Sequence, residues 1–364
     1  MANKTYRAEI TPLGNYYFGS ENTFQSTDKA EDDKLSVNYL VRSRMYPQQS
    51  ALLGLMRYIV LLKQKALYQT ADTKAKLIGA KSFSGNEKEA PIQWGRIISV
   101  SPLFILRAGK KYLVSGQDVQ FYDIENKTIK TKLTNVCKQD AKSSLGEKDF
   151  FFFENYDPKQ YAQINWKNSE SDNDILTPKD IFSEFFQVGI TKSFNGETDN
   201  DAFYKQYFYK LNKGFSFAVY ILLNEEIENY QQPVIAPFGA DQSLFSIKFT
   251  EEDNSLFPEP ERIEDEAKIT LLSDAYCDPS VLDHCFISIT NAIDFRYIKT
   301  NVATKRYYNL SKHEGDMQKS AKLNLLERGS VLYTEKAGII QDELHKHIAY
   351  RNAGFNFYTI QPLT

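Results

Sequence analysis

The sequence predicts an α+β protein made of two ferredoxin-like (RRM-like, βαββαβ) units with antiparallel sheets and long insertions. Three observations lead there. The chain has 364 residues, and single cores usually stop growing at about 250 to 300 residues, so two packed units are expected, divided as residues 1–211 and 212–364. Its composition, 42% hydrophobic and 25% charged, is that of a globular chain with substantial cores. The predicted elements run strand, helix, two strands, helix, strand, and a second β-rich series closed by a last helix and strand follows them.

KTYRAEITPL reads as a first strand ended by Pro12, and Leu13 to Tyr46 as polar loop. Pro47 suits the first turn of a helix in which Leu52, Leu55, Met56, Ile59 and Leu62 share one stripe of 3.6-residue period. Ser50, Gly54 and Arg57 fall together on the opposite face. A glycine inside a helix costs about 1 kcal/mol relative to alanine, so something is expected to pack or bind closely against Gly54, with Arg57 beside that contact. Tight packing on a neighbouring element, with Arg57 in water, satisfies the same spacing.

The runs IISVSPLFILR and KYLVS, joined by Ala108-Gly109, signal a hairpin. Gln117 to Asn173 reads as irregular. Thr177-Pro178-Lys179-Asp180 opens a helix over IFSEFFQ that stops at Gly189, and FYKQYFYKL closes the first unit as a strand. GFSFAVYILL, SLFSIKF, AKITLL, CFISIT, LNLLERGSVLYT and NFYTI are the strands of the second unit. IIQDELHKHI is its last helix, with Ile340, Leu344 and Ile348 on one stripe.

The net charge of −3 gives no sign of a polyanion binder, but the charges are unevenly placed. Glu251 to Glu266 is an acidic, proline-containing stretch. Arg296 to Arg328 is rich in cations, with Tyr297, Tyr307 and Tyr308 among them. A solvated face accounts for either cluster. Cations interleaved with rings are also what single-stranded RNA requires. Three cysteines without a close pair argue against a disulfide scaffold or a zinc ribbon. The first residues lack the apolar stretch of a signal peptide, and no run is long enough to span a bilayer, so the expected location is cytoplasmic with no membrane partner.

No Walker loop, dinucleotide fingerprint, GxSxG elbow or HExxH occurs. The four histidines are His284, His313, His345 and His347, so residues 1–283 lack the usual general base. Cys277, His284 and Cys285 have no clear fourth zinc ligand. No cofactor or metal is expected. Near the end of the chain, YRNAGFNFYTIQP sets Gly354 just past a helix. That is first a helix stop, favoured by His345, Lys346 and Arg351. It is also a place where bare backbone could meet a phosphate or base, with Asn and Arg as donors.

The segments ITPLGNYYFGSENTF, SRMYPQQSALLGLMRY, FFQVGITKSFN with FYKQYFY, APFGADQSLF, ERGSVLYTE and RNAGFNFYTI occur in this order over nearly the whole chain. Together they resemble the RAMP-superfamily subunit, numbered three, of the type III-B CRISPR-Cas Cmr effector complex. The resemblance implies a RAMP-type fold with a C-terminal Gly-rich loop and no catalytic activity. It implies binding of the repeat-derived crRNA 5′ tag, capping of the backbone filament at the first backbone RAMP subunit, and docking of the large cyclase/polymerase-like subunit. The alternative within the same superfamily is a metal-independent endoribonuclease that processes CRISPR precursor RNA.

Under this resemblance Gly354 and Asn356 approach the tag, with Arg351 beside them and Phe355 a ring on which a splayed base stacks. Ser50, Gly54 and Arg57 correspond to the helix that meets RNA, with Arg42 and Arg44 just before it. Gly239, Gln242 and Ser243 match a Gly-rich turn, although a glutamine at 242 weakens a phosphate contact there. Lys305, Arg306, Tyr307 and Tyr308 are the expected cations and stacking rings. The family's RNA-bending hairpin has two candidate regions, Lys74 to Lys88 and Lys127 to Lys148. The acidic stretch is expected to stay away from RNA.

Overall fold

The computed structural model describes residues 3–19, 23–26, 38–88, 90–123, 128–132, 136–143, 146–153, 164–192, 198–253, 256–299 and 318–363. Strands dominate it, and nearly all of their pairings are antiparallel.

The first sheet is centred on β1 (Lys4–Pro12), where Tyr6, Ala8 and Ile10 point inward on alternate positions. After β1 come the helices α1 (Gln49–Lys63) and α2 (Ala71–Ile78), then β2 (Phe104–Arg107), β3 (Phe215–Leu223) and β4 (Ser243–Glu251). Their order across the sheet is β4, β1, β3, β2, every neighbour antiparallel. The hairpin expected at Ala108-Gly109 is present, both residues having positive φ. Strands Lys110–Val114, Trp166–Asn168 and Ser171–Leu176 extend the sheet beyond β2, and Val234–Phe238 extends it beyond β4.

The division expected after residue 211 does not fall between sheets. β3 and β4 both lie beyond it, and each pairs with β1 along most of its length. The segment expected to close the first unit instead belongs to Thr198–Leu211, in a separate four-stranded sheet with Phe182–Lys192, Asn38–Arg42 and Thr23–Ser26. The helix expected over IFSEFFQ is also corrected. Only the turn α3 (Pro178–Ile181) is helical, and the aromatic run continues as a strand.

The next sheet is built from β5 (Ala267–Leu271), β6 (Cys285–Ile289), β7 (Val331–Thr334) and β8 (Tyr358–Pro362), ordered β8, β5, β7, β6. A 3-10 helix, Pro279–His284, links β5 to β6. The helices α4 (Ala337–Lys346) and α5 (Ile348–Asn352) link β7 to β8. The largest core cluster spans both parts of the chain, joining Leu52, Met56 and Ile105 to Phe295, Tyr350 and Phe355.

Candidate nucleic-acid interface

The start of α1 and the terminal loop meet at Gln49. This side chain is fully buried, and its amide nitrogen donates to the carbonyls of Ser101 at 2.9 Å and Ala353 at 3.2 Å, while its amide oxygen accepts from Leu103 N at 3.1 Å. Gly354 has φ +90° and lies against this group: a methyl in its place would overlap the Gln49 amide and come within 2.6 Å of the Ser101 carbonyl. The bare backbone at Gly354 is therefore approached by the chain itself. Glycine is required there by both conformation and space.

Phe355 and Asn356 are likewise internal. Phe355 is packed among Phe83, Phe295 and Tyr350, with ring centres 5.4–5.6 Å apart. Asn356, at φ +60°, accepts from Tyr276 N at 2.7 Å and donates to the carbonyls of Tyr276 and Leu344. The expectation that these two side chains reach a base is thus corrected. They hold the loop in place, because a buried amide must find partners inside the fold. Arg351 is partly buried, with its guanidinium bonded to both oxygens of Glu259 at 2.8 and 2.9 Å.

Around α1 the expected residues separate. Gly54 is exposed, and among the described residues nothing beyond its own helix turn comes within 4 Å of where its side chain would be. Ser50 is half-buried beside it. Arg57, expected on the same open face, is only 4% exposed and donates to the Gly79 carbonyl at 2.9 Å. The reason is that α1 buries Leu53, Val60 and Leu61 as well as Leu52, Leu55, Met56 and Ile59 of the predicted stripe, so little of its circumference is left for solvent. Arg42 is exposed at the end of its strand, and Arg44 is half-buried, donating to the Asp294 carbonyl at 3.0 Å.

Of the basic cluster, Lys305, Arg306, Tyr307 and Tyr308 lie outside the described residues. The chain on either side of them is drawn together, Ile298 facing Lys319 and Lys299 facing Gln318. Arg328 is fully buried, bonded to both Asp274 oxygens at 3.0–3.1 Å, with its guanidinium 4.4 Å from the Tyr46 ring centre. Burial alone would raise the Asp274 carboxyl, but the charge and hydrogen bonds of Arg328 hold it below the usual range. Arg328 is therefore a structural cation, and Tyr297, 7% exposed, is a core ring. Sequence reasoning had no signal for this pair, whose members stand 54 residues apart.

Much of the acidic stretch is neutralised within the chain. Glu251 pairs with Lys4, Glu252 with Arg7 and Lys111, and Glu259 with Arg351, while Glu264 and Asp342 flank Arg262. Gly239, at φ +96°, fits against the Tyr17 carbonyl. Among the described residues no group of three or more His, Cys, Asp or Glu could hold a metal ion. Burial pushes the thiols of Cys277 and Cys285 up, to about 12 and about 11.

The fold has counterparts. A chain in the cryo-EM structure of the Type III-B Cmr-beta bound to cognate target RNA matches at 12% identity and a TM-score of 0.52, covering 98% of this chain and 99% of that one. A chain in the same assembly with target RNA and AMPPnP, state 1, matches at 12% identity and a TM-score of 0.51, with the same coverage. At these identities the likeness is one of fold. No match exists among the curated proteins. The family model described as CRISPR-associated protein (Cas_Cmr3) matches residues 8–361. With all but the two ends of the chain matched, this protein belongs to the CRISPR-associated Cas_Cmr3 family.

Proposed function

We propose that the chain is a non-catalytic RNA-binding subunit of a type III-B CRISPR RNA-guided effector complex. It holds the repeat-derived 5′ tag of crRNA, caps the backbone filament at the first backbone RAMP subunit and docks the large cyclase-like subunit. The observation that carries this reading is the family match over residues 8–361. We read the two strand orders, β4-β1-β3-β2 and β8-β5-β7-β6, as two ferredoxin-like units, with the acidic stretch between β4 and β5 as the link.

The RNA-facing part is the open side of α1 at Ser50 and Gly54, with Arg42, Arg44 and the 305–308 segment supplying charge and rings. Gly354, Phe355 and Asn356 position this region by fixing the terminal loop against Gln49. A binding role also suits the histidines. His345 Nε2 lies 2.9 Å from the Tyr358 hydroxyl, and His347 lies between Glu87 and Glu343, so both are engaged in the fold.

The test is purification of the full chain with its neighbours from the native cell and sequencing of the bound RNA. Short RNAs sharing one 5′ end are expected. Time-dependent cleavage of added precursor RNA would overturn the reading in favour of the nuclease. Arg42→Glu with Arg44→Glu is expected to weaken tagged-RNA binding and to flatten its salt dependence by about 0.7 in log–log slope per lost phosphate contact. An unchanged slope would remove these arginines from the interface.

A further inference from the structure

Strand Phe182–Lys192 is an outer strand of the four-stranded sheet, and residues 184–188 are all exposed. They include Phe186 at 60% and Val188 at 56% exposure. Phe186 and Val188 leave adjoining apolar side chains in water on one side of an edge strand, which suits a contact surface. The register sets their face: Phe186 lies opposite Tyr207, Val188 opposite Lys205, and Tyr207 in turn opposite Arg42. Directly paired residues share one side of a sheet.

On that side Lys205 Nζ stands 4.1 Å from the Phe186 ring centre and 4.9 Å from that of Tyr207, and the Arg42 guanidinium stands 5.1 Å from Tyr207. The two rings are 6.0 Å apart. Glu184, next along the row, is engaged by the Tyr209 hydroxyl at 3.1 Å. Rings and cations thus alternate along this face, Phe186 and Arg42 exposed and Lys205 and Tyr207 half-buried.

A single-stranded nucleic acid offers the complement, flat bases spaced along a line of phosphates. We infer that the face formed by Phe186, Tyr207, Lys205 and Arg42 is a stacking platform for unpaired bases, with the two cations taking adjacent phosphates. This rests on the RNA reading above and extends the interface from α1 onto a different sheet. Selection there is for single-strandedness and not for sequence, because every base presents a π face. A duplex keeps its bases stacked on one another and meets only the cations.

The experiment titrates the full chain with three fluorescent probes: a twelve-nucleotide RNA of mixed sequence, the same RNA as a duplex, and a tagged RNA of the kind that co-purifies with the chain. The wild type is expected to prefer the single strand to the duplex. Phe186→Ala with Tyr207→Ala is expected to lose about tenfold in single-strand affinity, with duplex binding unchanged. Phe185→Ala, on the other side of the strand, is the control expected to change neither. Phe186→Leu keeps the apolar bulk without the ring and reads the same loss if the double variant misfolds.

Unchanged single-strand affinity in both Phe186 variants, with tagged RNA bound normally, sinks the platform and leaves the proposed function standing. Failure of the wild type to bind any of the probes sinks both. Variants that bind RNA normally but lose a co-purifying protein overturn the platform in favour of protein docking.

Discussion

Gly54 and Gly354 show why residue type alone does not report a residue's task. Both were expected to admit something close to the backbone, yet one opens to solvent and the other is filled by Gln49. Their substitutions should therefore differ in sign. Gly54→Ala is expected to stabilise the chain by about 0.5–1 kcal/mol through helix propensity, whereas Gly354→Val should cost about 3 kcal/mol or more, from positive φ combined with overlap. Urea denaturation of the two variants checks this. The buried Arg328–Asp274 pair gives a second test. Asp274→Ala strands a guanidinium in the core and is expected to cost about 3–5 kcal/mol, while Asp274→Ala with Arg328→Met should cost less. Equal denaturation midpoints for the single and double variants would contradict the pairing.

At the scale of elements, periodicity succeeded where one face of an element is buried and failed where contacts across the chain decide. α1 and the hairpin at Ala108-Gly109 are local matters, set by 3.6-residue spacing and turn chemistry. The IFSEFFQ run carries a sound helix start, with the Thr177 N–H and hydroxyl both bonded to Asp180 at 2.8 Å, but its Phe residues find a ready partner strand from Gln206 to Leu211. Helix α4 holds a pH-sensitive contact. The Tyr358 hydroxyl accepts from Gln341 and stands 2.9 Å from His345 Nε2. Burial first, and the nearby Arg351 charge next, lower the His345 pKa from 6.5. The unfolded chain therefore takes up a proton below about pH 6.5 that the folded chain resists. Stability is fully present above that value and falls as the pH drops through it. His345→Gln keeps a hydrogen-bonding side chain without titrating, so thermal melts from pH 7.5 to 5 should show a shallower decline. His347, also lowered by burial, leaves part of the slope in place.

For the whole molecule, the decisive feature is that the first sheet recruits strands from beyond residue 211. A fragment of residues 1–211 lacks both neighbours of β1, exposing Tyr6, Ala8 and Ile10, and is expected to show no cooperative thermal transition by circular dichroism. The full chain should show one. A sharp transition in the fragment would support a division after residue 211. The core shared between Leu52 on α1 and Phe355 in the terminal loop gives a further reason, since neither part buries its apolar surface alone.

By itself the sequence determined the β-rich α+β class, the position of α1, the tight turn at Ala108-Gly109 and, through six ordered motifs, the family. All of these rest on local spacing or on short runs whose meaning does not depend on distant residues. Only the tertiary structure decided that Gly354 receives Gln49, that Arg57 and Arg328 lie inside, that β3 and β4 complete the first sheet, and that Phe186 and Tyr207 share an open face. Each of those is a contact between segments far apart in the chain, and burial is created by packing, which no single stretch of sequence contains.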